Sequence, residues 1–347
     1  MKIAVYTVAL NEEQFVERWY ESAKAADYLL IADTGSQDGT IEKAKALGIN
    51  VISISIKPWR FDDARNAALA LLPDDIDMCV SLDMDELLVG DWRPALEMAT
   101  LATTRPRYTY TWNFIDGKPG LTFGGDHIHS RHNYRWKHPV HEVVVADRIT
   151  EVQEWVKLDI HHKADETKSR GQYLPLLELS VAEDPWDVRN SFYYARELFF
   201  YGQNEKSAAE FKRYLSLPSA IWAAERAAAC RFLAKVEPST AVEHLLQSLQ
   251  EDATRREAKV DLAMHFYNKQ DWPQVHLHTR NALAITEKPL DYLCEAFAWG
   301  ALPWDLYSLA AYHLGDLEEA ITAVKKALEY DPDDQRLLRN LELFARN

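Results

Sequence analysis

Over the first hundred or so residues, short apolar runs alternate with stretches of helical spacing. Lys2–Leu10, Tyr28–Ala32, Val51–Ile56 and Met78–Leu82 are β-rich runs. Between them, Glu13–Ala26 brings Phe15, Val16, Trp19 and Ala23 to one helical face, and Thr40–Leu47 and Phe61–Leu72 carry the same spacing. Strands that alternate with helices predict a parallel sheet with helices on its faces. Ligands of such sheets bind at the carboxyl ends of the strands. The most polar junctions, after Leu10, Ala32 and Leu82, are all such ends.

Residues 101–163 follow a different pattern. They are aromatic, rich in His and Arg and poor in helical spacing, with strand-like runs at Arg107–Phe114, Tyr134–Lys137 and Val143–Ala146. Seven of the 12 histidines lie from His127 to His162, which makes this stretch the expected second wall of a site. From about residue 165 the pattern is purely helical, and it repeats. Leu215, Leu249, Leu283 and Leu328 are each preceded thirteen residues earlier by Gly202, Val236, Gln270 and Gly315, and twenty residues earlier by Ala195, Ala229, Ala263 and Ser308. Paired helices at a 34-residue period are the tetratricopeptide signature. The longer last interval predicts an insertion near Leu290–Gly300. Gln335–Arg346, with Leu337, Leu338, Leu341 and Phe344, reads as a capping helix. The expected division is therefore an α/β domain over 1–165 and an all-α domain over 166–347.

Composition narrows this picture. A chain of 347 residues, 47% hydrophobic, is long enough for two domains with substantial cores. It has no run of 18 apolar residues and hence no expected membrane span. The first residues are strand-like rather than a signal peptide. The three cysteines are odd in number and far apart, which fits a reducing, cytoplasmic setting and excludes a sequence-evident zinc motif. A net charge of −15 disfavours a general nucleic-acid binder.

Several motifs carry candidate chemistry, each with a plainer alternative. Asp83 and Asp85, after the run Met78–Leu82, would point the same way on a continuing strand. Two such carboxylates suit a hard divalent cation, Mn²⁺ or Mg²⁺, or else form a solvated acidic strand end. Asn11 is either a helix cap or the rim of a nucleotide pocket. Asp33 opens Asp33-Thr34-Gly35-Ser36-Gln37-Asp38-Gly39-Thr40, a turn it is not needed to build, and could accept from a base or a ribose. Arg65 would meet an acidic strand end or a phosphate. Glu142 is a candidate general base or a surface carboxylate. His161 and His162 follow Leu158 and Ile160, and only one of the two can face a given side of a strand.

The order of these motifs resembles family 2 of the glycosyltransferases: Asn-Glu-Glu after the first strand, Asp-Thr-Gly-Ser-x-Asp-Gly-Thr after the second, Phe-x-x-Ala-Arg-Asn on a helix, and Leu-Asp-x-Asp-Glu after the fourth strand. Val140–Glu142 and Ile160–His162 are similar to that family too, as is a transferase head followed by tetratricopeptide repeats. The resemblance implies a GT-A, Rossmann-like fold and a nucleotide-sugar donor, most often a UDP sugar. It implies Asp33 at the base or ribose, Asp83 toward the ribose or the metal, and Asp85 as metal ligand. His161 would be the late ligand, with His162 as the fallback, Glu86 would lie outside the ligand set, and Glu142 would be the base of an inverting displacement. The acceptor would be a protein, peptide, glycan or modified nucleic acid, and the repeats would hold it or make a homo-oligomer. The alternative is a peptide-binding scaffold with a non-catalytic head.

Overall fold

The computed structural model describes residues 1–99, 102–115, 117–164, 171 and 173–346. The chain divides into two compact units, Met1–Pro185 and Trp186–Asn347. The boundary expected at 165/166 adjoins residues 165–170, which lie outside the described residues. The helix that follows belongs to the first unit.

The first unit begins as the apolar runs predict, with β1 (Ile3–Ala9), α1 (Val16–Ala23), β2 (Tyr28–Asp33), α2 (Thr40–Ala46), β3 (Asn50–Ser53), α3 (Phe61–Ala70) and β4 (Met78–Ser81). β5 (Glu86–Leu88), α4 (Arg93–Glu97), β6 (Arg105–Thr111), β7 (Phe114–Ile115), β8 (Lys118–Pro119), β9 (Thr122–Gly125) and β10 (Ile128–Ser130) follow. The unit ends with β11 (Tyr134–Lys137), β12 (Val143–Ala146), β13 (Gln153–His162) and α5 (Tyr173–Glu183).

The main sheet has the order β10-β4-β1-β2-β3. β4, β1, β2 and β3 are parallel and β10 is antiparallel. Side chains of β1 alternate between two cores. Ile3 and Val5 join Val16, Trp19 and Ala44 on one face, while Ala4 and Tyr6 join Ala68, Leu69, Trp136 and Val144 on the other. A strand covered on both faces reads as a continuous apolar run, which is why β1 and β4 were legible. A second sheet, β5-β13-β6-β9, packs Leu158 and Ile160 into the first of these cores while Lys157 and Asp159 face out. Trp19 is fully buried and donates its indole N–H to the Leu82 carbonyl at 3.0 Å, fixing α1 against the end of β4. Tyr173 of α5 packs edge-on to Phe61 and His141.

The second unit is a run of helices: α6 (Val188–Phe200), α7 (Asn204–Ser216), α8 (Ala223–Val236), α9 (Ala241–Glu251), α10 (Glu257–Tyr267), α11 (Trp272–Leu283), α12 (Ala301–His313), α13 (Leu317–Tyr330) and α14 (Gln335–Arg346). Consecutive helices pack as hairpins. The small residues of the repeat, Ala195, Ala229, Ala263 and Ser308, are all fully buried. Gly202, Gln270 and Gly315 end the first helix of their hairpins in the left-handed region, at φ +69°, +57° and +86°. At each, the next N–H reaches back five residues: Gln203 to Leu198, Asp271 to Phe266 and Asp316 to Ala311, at 2.9, 3.0 and 2.9 Å. This is one helix stop, the Schellman motif, used three times. The copy at Val236 departs from it. Pro238 lacks an N–H, and a 3₁₀ turn, Pro238–Thr240, takes the place of the left-handed residue. α14 buries Leu337 and Phe344 against α12 and α13, closing the final apolar face.

Candidate functional site

β2 and β4 flank β1 on opposite sides, so the strand order reverses between β1 and β4, and the carboxyl ends of these strands are where ligands of such sheets bind. The loops after β1 and β2 are tied together there. Asn11, at φ +57°, does not cap α1, whose first residue is Val16. It accepts the Gln37 N–H at 2.7 Å, and its own N–H donates to Ser36 Oγ at 2.9 Å. Glu12 N–H donates to Thr40 Oγ1, and the Glu13 carboxylate accepts the Gly39 N–H. Asp38 accepts from Glu13 and Thr40, and these hydrogen bonds hold its carboxyl below the usual range against the opposing effect of desolvation. Asp33 corrects the sequence reading. It does build its turn, accepting from the N–H groups of Gly35 and Ser36 at 2.9 and 3.2 Å, and it is buried.

Arg65 stands at the centre of the site. It is 8% exposed, on the second turn of α3. Its two terminal nitrogens donate to the two oxygens of Asp83 at 2.8 and 3.0 Å, one of them also to Ser81 Oγ at 3.0 Å, and its Nε donates to Glu142 Oε1 at 2.5 Å. The guanidinium lies 4.8 Å from the Trp136 ring centroid. Burial opposes its charge, but Asp83 and Glu142 overcome that and hold it well above the ordinary value. A planar fork is needed to bind one carboxylate bidentately while serving a second. Asp83 remains 40% exposed at its side chain, so the clamp presents it to solvent rather than sealing it in.

Beyond β4 the backbone does not continue as a strand. Glu86 N–H bonds the Asp83 carbonyl at 2.9 Å, which makes Asp83–Glu86 a turn. Asp83 and Asp85 therefore do not share a strand face: Asp83 goes to Arg65, and Asp85 goes to the second sheet. There β13 runs antiparallel to β5 with His162 opposite Glu86 and His161 opposite Leu87. This register places His162 Nε2 3.5 Å from Asp85 Oδ2. The His162 Nδ1–H is anchored on the Trp112 carbonyl at 2.9 Å, and the ring is stacked on the Trp112 indole at 4.5 Å. Burial lowers the His162 pKa, but Asp85 and the Trp112 carbonyl raise it further, to a net value above the ordinary one. His161 takes the other face of β13, edge-on to Phe114, and is lowered by burial and by Lys163. The imidazole beside Asp85 is thus that of His162, the fallback, and not that of His161.

Glu86 lies beneath the turn. It accepts the Asp83 N–H at 2.9 Å and the Tyr110 hydroxyl at 2.6 Å. Burial first, and then the charge of Asp83, pushes its carboxyl up to about 8. Ser81, Tyr110, Trp112 and Trp136 were not anticipated. Ser81 and Trp136 touch Arg65 of α3, Tyr110 touches Glu86 and Trp112 touches His162, contacts between distant elements that sequence spacing does not reveal.

Asp85 and His162 offer one oxygen and one nitrogen donor 3.5 Å apart. Adjacent ligands on a small octahedral cation with bonds of about 2.1 Å lie roughly 3 Å apart. Among the described residues no group of three or more His, Cys, Asp or Glu is arranged to hold a metal. A Mg²⁺–phosphate site ordinarily takes only one or two carboxylates from the protein, with substrate oxygens and water completing the shell; Asp85 is one such carboxylate, and the His162 imidazole would be a softer donor beside it.

No protein-family model matches the chain, and no curated protein does. Solved structures share parts of it. A thermophilic TPR protein from Thermus thermophilus is 15% identical over 50% of this chain and 89% of that chain, at a TM-score of 0.33. The crystal structure of MamA is 15% identical over 47% of this chain and 89% of that one, at 0.37. Glucosyl-3-phosphoglycerate synthase from Mycobacterium tuberculosis, in complex with Mn²⁺, UDP and phosphoglyceric acid, is 25% identical over 31% of this chain and 43% of that one, at 0.27. All three scores lie below 0.5, too slight to assign a family.

Proposed function

We propose that the first unit is a metal-dependent glycosyltransferase that uses a nucleotide-sugar donor, a UDP sugar foremost. The observation that carries this reading is the pairing at the end of β4: Asp83 clamped by Arg65, and two residues on, Asp85 beside His162. Asp85 and His162 are the residues that would hold Mn²⁺ or Mg²⁺, with His162 taking the place expected of His161. A divalent cation, when bound, would neutralise the charge of the leaving diphosphate.

The protein's own groups divide the remaining work. Asp83, held by Arg65, faces the nucleoside. Asn11 and Asp33 set the loops of the nucleotide rim, since both fix the turn Asp33–Ser36. Glu142 takes the proton of the acceptor hydroxyl as that oxygen bonds the sugar's anomeric carbon and the bond to the diphosphate breaks. Its Oε1 is committed to Arg65, so the proton goes to its other oxygen. Arg65 joins donor-side Asp83 to acceptor-side Glu142 in one rigid unit. Proteins, peptides, glycans and modified nucleic acids are the acceptor classes to be tried.

The repeat hairpins of the second unit favour a second reading, a peptide-binding scaffold whose head does no chemistry. Turnover of a panel of nucleotide sugars, with and without Mn²⁺, separates the two. The transferase reading expects metal-dependent release of the nucleoside diphosphate, lost in Asp85→Ala and in His162→Ala while the proteins stay folded. Turnover of no donor would favour the scaffold.

A further inference from the structure

β10 brings one more titratable group to the clamp. It runs antiparallel to β4, with Ile128 opposite Val80 and His129 opposite Cys79. One step earlier, the Ser81 N–H donates to the His127 carbonyl at 3.0 Å, so His127 stands opposite Ser81. Residues directly opposite in an antiparallel pair share a face. Ser81 accepts from Arg65 through its hydroxyl, and His127 therefore puts its imidazole on the Arg65 side of the sheet. The ring contacts agree. His127 meets the Trp136 indole edge-on, with centroids 5.1 Å apart, and Trp136 carries the Arg65 guanidinium. The charges of Arg65, Asp83 and Glu142 all act on the His127 ring.

The hydrogen-bonding capacity of this ring is unused. Its side chain is 29% exposed, and neither ring nitrogen has a hydrogen-bond partner among the described residues. Asp126 Oδ1 lies 3.7 Å from Nε2, beyond hydrogen-bond reach, while the other Asp126 oxygen accepts from Arg105 at 3.1 Å. His129, two residues on and on the same face, is the contrast: it is fully buried and both of its ring nitrogens are bonded. Burial lowers the His127 pKa; Asp126 opposes this and Arg65 adds to it, and the net value lies below the ordinary one. The ring is therefore neutral at pH 7, with one N–H to donate and one nitrogen to accept. A histidine that serves packing alone has its nitrogens satisfied, whereas this one brings an unsatisfied donor and acceptor to solvent beside the clamp.

We propose that His127 binds a hydroxyl of the sugar being transferred and so helps to select the donor, which rests on the transferase reading above. In that reading Asp83 faces the nucleoside and Glu142 takes the acceptor's proton. The sugar lies between the two, since its anomeric carbon gains the acceptor oxygen as it loses the diphosphate. Arg65 spans the same interval, and His127 flanks Arg65 through Trp136. A neutral imidazole suits this place. It can both donate to and accept from sugar hydroxyls, and it adds no charge beside the diphosphate. Arg65, Asp83 and Glu142 are already bound to one another, which leaves His127 able to read the sugar.

Calorimetry on the full chain with Mn²⁺ tests this, using UDP and a panel of UDP-glucose, UDP-galactose, UDP-N-acetylglucosamine and UDP-xylose. His127→Phe keeps an aromatic ring against Trp136 and removes both nitrogens. It should leave the Kd of UDP unchanged and raise that of the bound UDP sugar about three- to tenfold, the loss of one neutral hydrogen bond. Among deoxy analogues of that donor, the one lacking the contacted hydroxyl should bind wild type and His127→Phe alike. His127→Gln, which restores a donor and an acceptor, should recover part of the loss. A variant that weakens UDP and UDP sugar equally, or neither, would overturn the proposal, as would a wild type that binds UDP but none of the sugars. A wild type that binds no UDP would instead refute the transferase reading, and the proposal with it. If His127→Phe does not fold, long-range ¹H–¹⁵N spectra of the wild type with Mg²⁺ decide. The His127 nitrogens should shift when the UDP sugar is added and not when UDP is added. A bound UDP sugar that leaves them unmoved would end the proposal.

Discussion

A buried polar chain beneath the site makes a pH prediction of definite sign. The Trp136 indole N–H donates to the Tyr6 hydroxyl at 2.8 Å, Tyr6 donates to His129 Nε2 at 3.2 Å, and His129 Nδ1–H donates to the Ser130 carbonyl at 2.8 Å. The direction of donation is consistent only if His129 is neutral, since a protonated Nε2 would meet the Tyr6 oxygen with a second donor. Tyr6 and His129 are fully buried. Burial drives the His129 pKa down to about 4, from an ordinary 6.5. The unfolded chain binds a proton near pH 6.5 and the folded chain does not until about pH 4. The stability contributed by neutral His129 is thus complete above 6.5 and is lost as pH falls through that window. A difference of about 2.5 units corresponds to roughly 3 kcal/mol. Long-range ¹H–¹⁵N spectra of the imidazoles should show His129 as a neutral Nδ1–H tautomer down to about pH 5. Urea unfolding of His129→Phe should lose stability less steeply than wild type between pH 6.5 and 4. A folded-state titration of His129 near 6.5, or identical slopes for the two proteins, would refute the argument.

Other perturbations follow from single contacts. Arg65→Met leaves Asp83 and Glu142 without their common partner. Discounted for the exposure of Asp83, the loss should be about 3 kcal/mol in denaturant unfolding, and Arg65→Lys should rescue little because an ammonium cannot replace the fork. Gln270→Gly relieves a left-handed non-glycine residue and should raise stability by about 1 kcal/mol, whereas Gly202→Ala should lower it by a similar amount. Gly125→Ala sets a methyl group against the buried Tyr108 ring and should cost about 1–3 kcal/mol, seen as a lower Tm.

What the sequence could disclose was what local chemistry decides. β1, β2 and β4 were legible because strands buried on both faces are uninterrupted apolar runs. Gly202 and Gly315 marked the repeat because a left-handed helix stop favours glycine. The turn at Asp83–Glu86 was not legible, because Glu86 closes it through the Asp83 N–H, and that depends on burial beneath Tyr110 from a strand 24 residues away. The choice between His161 and His162 was likewise invisible. Alternation along β13 separates the two, but only the β13–β5 register decides which of them meets Asp85. Arg65 offered two readings from its helix alone. The structure shows it pairing with the acidic strand end and with Glu142, 77 residues away, in one clamp. The insertion near Leu290–Gly300 could be placed from spacing, but its packing into the helical core through Leu293, Cys294 and Ala298 depends on tertiary contacts.

The central claim is that Asp85 and His162 form the cation side of a nucleoside-diphosphate site. Thermal-shift titration with UDP and Mn²⁺ together tests it most directly, on wild type, Asp85→Ala, His162→Ala and His161→Ala. The account predicts a Tm increase that needs both ligands, is lost in Asp85→Ala and His162→Ala, and persists in His161→Ala. A wild-type protein unmoved by millimolar UDP and Mn²⁺, or an increase lost with His161 and kept without His162, would contradict it.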